Sequence, residues 1–294
     1  MKTNPRMLLK PLTVFALCGI VFFSCKKDSN SSSTSSPDTD SATNMSTSAA
    51  TTDNMFGDTY DVLGQTTAGN AYLSARTVTN GRADGVDSIA ACTTVTVSPA
   101  DTGTYPKTVT LNFGTGCTSW YGVTRSGIIT FVYSGHLKNP GTKVTATYSN
   151  YKVNGYKLEG KYSITNYSSL ANGVLFTSSV DSGKITYPNG TTWYSYSGTR
   201  TIKQTAGIGS TNYNDYVFSI TGKHSYASWT GKTLTDSITT ALVKQVSCKN
   251  IVSGVVAFTY NGLIKGTLDY GNGTCDSLAT LTIGTTVKTI GLPR

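Results

Sequence analysis

"GTKVTATYSNYKVNGYKLEGKYSITN", Gly141 to Asn166, is the stretch on which the fold turns. At its centre Asn154-Gly155 can supply the two positive φ values that a type I′ hairpin turn requires. On either side the chain alternates in polarity and is rich in Thr, Val, Ile and Tyr, residues that suit a pleated, half-buried surface. The signature recurs. Asn-Gly also occurs at Asn80, Asn172, Asn189, Asn261 and Asn272, and "GIITFVYSG" and "GKITYPNGTTWYSYSGTRTI" carry the same alternation. Helical periodicity is nearly absent after Leu73. The exception lies from Asp53 to Gln65, where Phe56, Tyr60 and Leu63 fall on one helical face behind Asp53 as a cap. The prediction is an all-β chain, an antiparallel meander of long hairpins with a short N-terminal helix packed on it. Whether the meander forms a sandwich, a half-barrel or one curved sheet stays open at this point.

The N-terminus reads as an address. Lys2, Arg6 and Lys10 precede a run from Leu12 to Phe23 that is apolar apart from Thr13, the layout of a secretory signal. That run is far short of the ~20 residues a spanning helix needs. It ends in Ser24-Cys25, which resembles the lipobox of bacterial lipoproteins: residues 1–24 would be removed and Cys25 acylated. Phe22 and Phe23 depart from the preferred lipobox residues. Buried acyl chains contribute roughly 0.8 kcal/mol per CH₂, so the anchor would be effectively permanent. Between Ser29 and Thr52, 15 of 24 residues are Ser or Thr. So little apolar surface predicts a disordered, flexible linker over residues 25–52, with one β-rich domain over 53–294.

Four cysteines remain in the mature chain: Cys92, Cys117, Cys248 and Cys275. Four allow three pairings. The midpoint of Cys248 and Cys275 is Asn261-Gly262, so a two-residue turn there would set the two directly opposite each other, within disulfide range. A bulge near Gly271–Gly273 would shift this by a residue. Cys92 and Cys117 bracket a similar unit about the Gly103–Pro106 region, and both units end alike, in "NFGTGC" and "DYGNGTC". The expected pairs are Cys92–Cys117 and Cys248–Cys275, fitting an oxidising compartment.

The segments "FGTGC", "GVTRSGIITFVYSG", "NPGTKVTATYSNYKVNGYKLEG", "TGKHSYASWTGKT", "CKNIVSGVVAF" and "LDYGNGTCDSLATLTI" together resemble a family of uncharacterised Bacteroidota lipoproteins. The likeness runs from about Cys92 to Leu292. It implies a secreted, all-β, membrane-anchored protein and no activity, so no functional residue is carried over. "CKKD" after the signal likewise resembles the start of surface-exported lipoproteins of that phylum, with Lys27-Asp28 as the matching charged pair. An outer-membrane protein facing the cell exterior is the expectation.

The residues show little chemistry of their own. His136 and His224 stand in separate strand-like segments without metal-ligand spacing, and no GxSxG elbow occurs. Glu159 is the only glutamate, and no spacing selects an aspartate to pair with it across a cleft. Asp269, Asn272 and Asp276 lack the register of a calcium loop and read as a turn beside a disulfide. No cofactor or metal is expected. Basic residues are dispersed in a chain of net charge +9, which does not support a nucleic-acid groove. Trp193, Tyr194 and Tyr196 are candidates for stacking on a glycan, although in a strand Tyr194 and Tyr196 share one face and Trp193 points to the other. Three functions follow: a non-enzymatic binding or structural surface lipoprotein, with a glycan or outer-membrane protein as partner; a lipid or lipoprotein carrier with an open half-barrel; or a hydrolase with an unmarked site. The first is preferred.

Overall fold

The computed structural model describes residues 37–68, 92–101, 103–119, 122–169, 173–210 and 212–292. Cys25, Asn80, Trp120, Tyr121 and Asn172 lie outside them. A helix, α1 (Pro37–Ala68), is followed by fourteen strands: β1 (Thr94–Ser98), β2 (Lys107–Asn112), the two-residue β3 (Cys117–Thr118), β4 (Thr124–Tyr133), β5 (Lys143–Val153), β6 (Tyr156–Asn166), β7 (Leu175–Thr186), β8 (Trp193–Ala206), β9 (Val217–Ser228), β10 (Thr233–Gln245), β11 (Ser253–Tyr260), β12 (Ile264–Asn272), β13 (Leu278–Ile283) and β14 (Thr286–Gly291). They form one antiparallel sheet whose order follows the sequence, with β3 beside β4 off the main path. The meander is therefore a single open sheet rather than a sandwich.

The Asn154-Gly155 turn forms as its residues dictate. Asn154 and Gly155 take φ values of 48° and 84°, and Val153 pairs directly with Tyr156 across the two-residue loop. Asn261 and Gly262 also take positive φ, 47° and 73°, but there the ladder closes one residue further out, with Tyr260 opposite Ile264. Leu263 joins the loop, and its N–H donates to the Tyr260 carbonyl at 3.0 Å. With a further shift between Ser253 and Val255, Cys248 and Cys275 are not ladder partners as the two-residue turn had predicted. They sit in the loops just beyond the paired strands, yet their Cα atoms are 5.3 Å apart and the disulfide forms. Cys92 and Cys117 form the other, with a Cα separation of 5.6 Å.

One face of the sheet carries the core: Val109, Leu111, Ile129, Phe131, Tyr133, Val144, Leu158 and Ile164 are buried there beside a band of tyrosines. The opposite face is studded with hydroxyls. Thr96, Thr110, Thr130 and Thr147 stand abreast on β1, β2, β4 and β5, and Thr165, Thr177, Thr201 and Thr221 on β6 to β9.

The helix is where the structure departs from expectation. It is 32 residues long, ~48 Å at 1.5 Å per residue. Residues 37–52, expected as spacer, are its first half, and Asp53, expected as its cap, lies in its interior. Pro37 opens it and Asp38 and Asp40 occupy its first turn, both favourable at a helix N-terminus. The Ser/Thr content that suggested disorder is accommodated by back-bonding. Ser46 donates to the Ala42 carbonyl at 2.9 Å, Thr51 to Thr47 at 3.0 Å and Thr52 to Ser48 at 2.8 Å. A hydroxyl satisfied within its own helix can be buried at little penalty, and Ala42, Met45, Ala49, Ala50 and Met55 then supply apolar contact. The expected face of Phe56, Tyr60 and Leu63 does meet the core.

α1 is covered along most of its length. From Met45 to Gly64 none of its residues is fully exposed, and the half-buried positions Thr47, Asn54, Gly57, Asp61 and Gly64 recur at helical spacing as its least covered face. The sheet wraps it: Phe56 meets Tyr148 on β5 and Tyr196 on β8, at ring-centroid distances of 6.2 and 4.9 Å. Tyr60 meets Phe176 on β7 and Phe218 on β9, each at 6.3 Å. Asp40 reaches Lys288 on the last strand at 3.2 Å.

Candidate functional site

Titratable side chains converge at one place, where the middle of α1 crosses β8, β9 and β10. In strand register Gly198 on β8 faces His224 on β9, and Arg200 faces Gly222. Each long polar side chain thus lies over the other strand's glycine. A Cβ on Gly198 would stand 2.3 Å from the His224 ring, and one on Gly222 would stand 2.2 Å from the Thr199 carbonyl oxygen and 3.1 Å from Arg200 Cγ. Only glycine leaves this room. The sequence carries the pattern as Gly-Thr-Arg at 198–200 and Gly-Lys-His at 222–224, neither of which is a metal-ligand spacing.

Four residues then form a chain. Arg200 Nε donates to His224 Nε2 at 3.0 Å. An arginine is always the donor, so the imidazole proton sits on Nδ1, which donates to Asp236 Oδ1 at 2.7 Å. The Arg200 guanidinium also pairs with Asp53 of α1 at 2.6 Å. Tyr196, stacked on Tyr226 at 5.1 Å, closes the site from the sheet. Burial and charge act on each group. Burial opposes ionisation of Asp53, but the Arg200 guanidinium beside it holds the carboxyl below its ordinary value. Burial pushes Asp236 the other way, above the ordinary value, despite its bond to His224. Tyr196 and Tyr226 are driven well above the phenol range by burial and the neighbouring carboxylates.

A second ionic contact lies further along α1. Arg125 on β4 grips Asp58 bidentately, Nε to Oδ2 at 2.9 Å and a terminal nitrogen to Oδ1 at 2.5 Å, and the Tyr151 hydroxyl donates to Oδ2 at 3.1 Å. Burial opposes the charge on Arg125, and Asp58 restores it, holding the guanidinium protonated.

The chemistry available to the first cluster is limited by how it is paired. An Asp–His pair is half of a general-base arrangement, but the base needs Nε2 free toward a proton donor. Here Nε2 is capped by Arg200. Ligand atoms of Asp53, His224 and Asp236 lie within 4.8 Å of one another, a spacing that would suit a cation. Both imidazole nitrogens are already engaged, however, and the guanidinium stands where the cation's charge would be. The residues do not fit a metal centre. They fit a clamp that ties α1 to three strands.

The other sequence candidates disperse. Tyr194 and Tyr196 are buried on the inner face, where the Ser48 hydroxyl of α1 donates to the Tyr194 hydroxyl at 2.9 Å. Trp193 lies on the opposite face with Lys184 Nζ 4.9 Å from its ring centroid. The three form no common platform, and two are covered by the helix. Trp229, 46% exposed, meets Tyr194 edge-on at 5.6 Å. Glu159 pairs with Lys157 at 2.9 Å, and the His136 ring lies 5.0 Å from that of Tyr105. Asp269, Asn272 and Asp276 each accept a local bond, from Gly271 N–H, the Thr274 hydroxyl and Leu278 N–H, which is the turn chemistry their spacing suggested.

The geometry defines a class: an open antiparallel meander folded over its own helix and clamped to it by one buried and one half-buried ion pair. Comparison of this chain with family models, curated proteins and solved structures finds no match.

Proposed function

We propose that this protein is a membrane-anchored, surface-displayed lipoprotein whose β domain has a non-enzymatic binding or structural role. The observation that carries this reading is the filled inner face. α1 occupies the concavity that a lipid carrier would need empty, and it covers the one acid–base cluster among the described residues that a hydrolase could have used. The contact surface left is the outer one, where two rows of four threonines stand abreast in strand register. Such a face suits a polar, repeating partner, a glycan above all, better than an apolar one. Ser24-Cys25 and the charged pair Lys27-Asp28 support lipidation and export, and so does the resemblance to Bacteroidota lipoproteins.

The helix boundary fixes how this should be tested. A soluble form must begin before Pro37, because truncation at residue 53 would remove half of α1. Such a form, secreted with its disulfides intact, is expected to show the bare protein mass by native mass spectrometry and to bind on a glycan array. A stoichiometric lipid adduct would overturn the reading in favour of a carrier. For the anchor, Cys25→Ala is expected to abolish incorporation of labelled palmitate and release the protein from membranes; unchanged membrane retention of that variant would refute lipidation.

A further inference from the structure

We propose that the inner trough of the sheet is a receptor for an acidic helix, and that a second copy of this chain can supply that helix by exchanging α1. Three features lead there. The first is how α1 is held. The described hydrogen bonds between helix and sheet are made through side chains: Asp40 accepts from Lys288 and Asp58 from Arg125, Ser48 donates to Tyr194, and Thr59 bonds the Tyr148 hydroxyl, while the strands complete their backbone ladders with one another. Both disulfides lie within the strand-bearing region, and neither staples the helix. α1 sits in the sheet as a ligand sits in a site.

The second is complementarity. The trough presents two guanidinium groups among tyrosines, the buried Arg125 on β4 and the half-buried Arg200 on β8, and α1 brings a carboxylate to each, Asp58 and Asp53. Five residues apart on a helix, these carboxylates are ~7.5 Å apart along the axis. A sequence this rich in Ser and Thr has weak helix propensity, so α1 depends on a trough to stay folded. The fit is imperfect at two adjacent residues, where Asp53 Oδ1 and Asn54 Nδ2 are buried without a hydrogen-bond partner, and this favours release over permanent burial.

The third is reach. Roughly 25 residues, Gly69 to Thr93, join α1 to β1, enough to span up to ~85 Å of extended chain. The covalent link therefore does not force the helix into its own sheet. Identical trough and identical helix make the exchange reciprocal and closed, the usual geometry of a swapped dimer. On a surface where copies are held at high local concentration, exchange would link neighbours. This inference does not depend on the role proposed above.

Charge reversal tests it in the full soluble chain. One variant carries Asp58→Arg, the other Arg125→Asp, so neither can form the pair in its own fold. Mixed in equal amounts, they can form both pairs only by exchanging helices. The expected result is a species of twice the monomer mass, with a melting temperature above that of either variant alone. A mixture that melts and elutes as the sum of its parts overturns the proposal. Should both variants fail to fold even when mixed, the unaltered protein decides. Isotopically light and heavy chains, incubated together at high concentration, are expected to give mixed-mass dimers by native mass spectrometry, and their absence refutes exchange.

Discussion

Asp58→Asn is the substitution whose consequence follows most directly from the structure. The Asp58 and Arg125 side chains are 2% and 4% exposed, so the asparagine would leave a guanidinium in the core with no counter-charge. It would also replace a charged acceptor of the Tyr151 hydroxyl with a neutral one. Breaking one partner of a buried pair is worth ~3–5 kcal/mol. For a domain of this size 1 kcal/mol moves the melting temperature by ~2–4 °C, so the fall is ~6–20 °C if α1 melts with the sheet. If α1 undocks alone, the loss appears instead in its amide protection, so calorimetry should be run beside hydrogen exchange resolved on residues 37–68. Replacing both partners, Asp58→Leu with Arg125→Met, removes the stranded charge and should recover most of the loss. An Asp58→Asn protein that melts within ~1 kcal/mol of the original, with α1 equally protected, would refute the buried pair and the docking of the helix through it.

Other outcomes follow from the same geometry. Gly198→Ala drives a methyl into the His224 ring and should destabilise by ~1–3 kcal/mol, measured as a lower urea midpoint, whereas Gly291→Ala at the end of β14, with no atom within reach and no positive φ, should be milder. Acid should loosen α1 through Asp53. Its folded pKa lies below the unfolded value, so its contribution is full above ~4 and is lost as pH falls through the folded value. Asp236, shifted upward by burial, works in the opposite sense, its contribution declining as pH rises from ~4 through its folded value. Asp53→Asn should therefore flatten the acid limb of a stability–pH curve. Burial pulls Lys244 down to about 8, while its unfolded value is ~10.4; between these the unfolded chain holds more protons, so stability should rise with pH across that window, and Lys244→Met should abolish the rise. Non-reducing peptide mapping should recover Cys92–Cys117 and Cys248–Cys275 and no crossed pair.

Strand content was legible because turn chemistry and alternation are local. Asn154-Gly155 needs no distant partner to set its φ values, and the strands on either side alternate whatever they later pack against. The helical face of Phe56, Tyr60 and Leu63 was legible for the same reason. The first half of α1 was not. Ser/Thr density reads as solvation, and only the finished helix shows those hydroxyls bonding their own carbonyls while the sheet covers the rest. The Asn261-Gly262 register slipped by a residue because the turn dipeptide fixes local φ but not whether Leu263 joins the loop. The clamp was hidden by distance, since Asp53, Arg200, His224 and Asp236 come from four elements. The two glycines that make room for its long side chains were its one sequence trace.

The order of the strands also sets an order of events. Every strand on the main path pairs with its neighbour in sequence, so the sheet can grow hairpin by hairpin through short loop closures. α1 has no such neighbour. Its contacts run from β4 to β14, and Asp40 meets Lys288 across 248 residues of chain. The first described segment of the chain is thus the one whose partners lie farthest ahead, and its seat is complete only once the last strand has joined the sheet. Its serines and threonines dilute the apolar side chains that the finished sheet buries, Met55, Phe56, Val62 and Leu63 among them, a composition suited to a segment that must stay soluble until that seat exists.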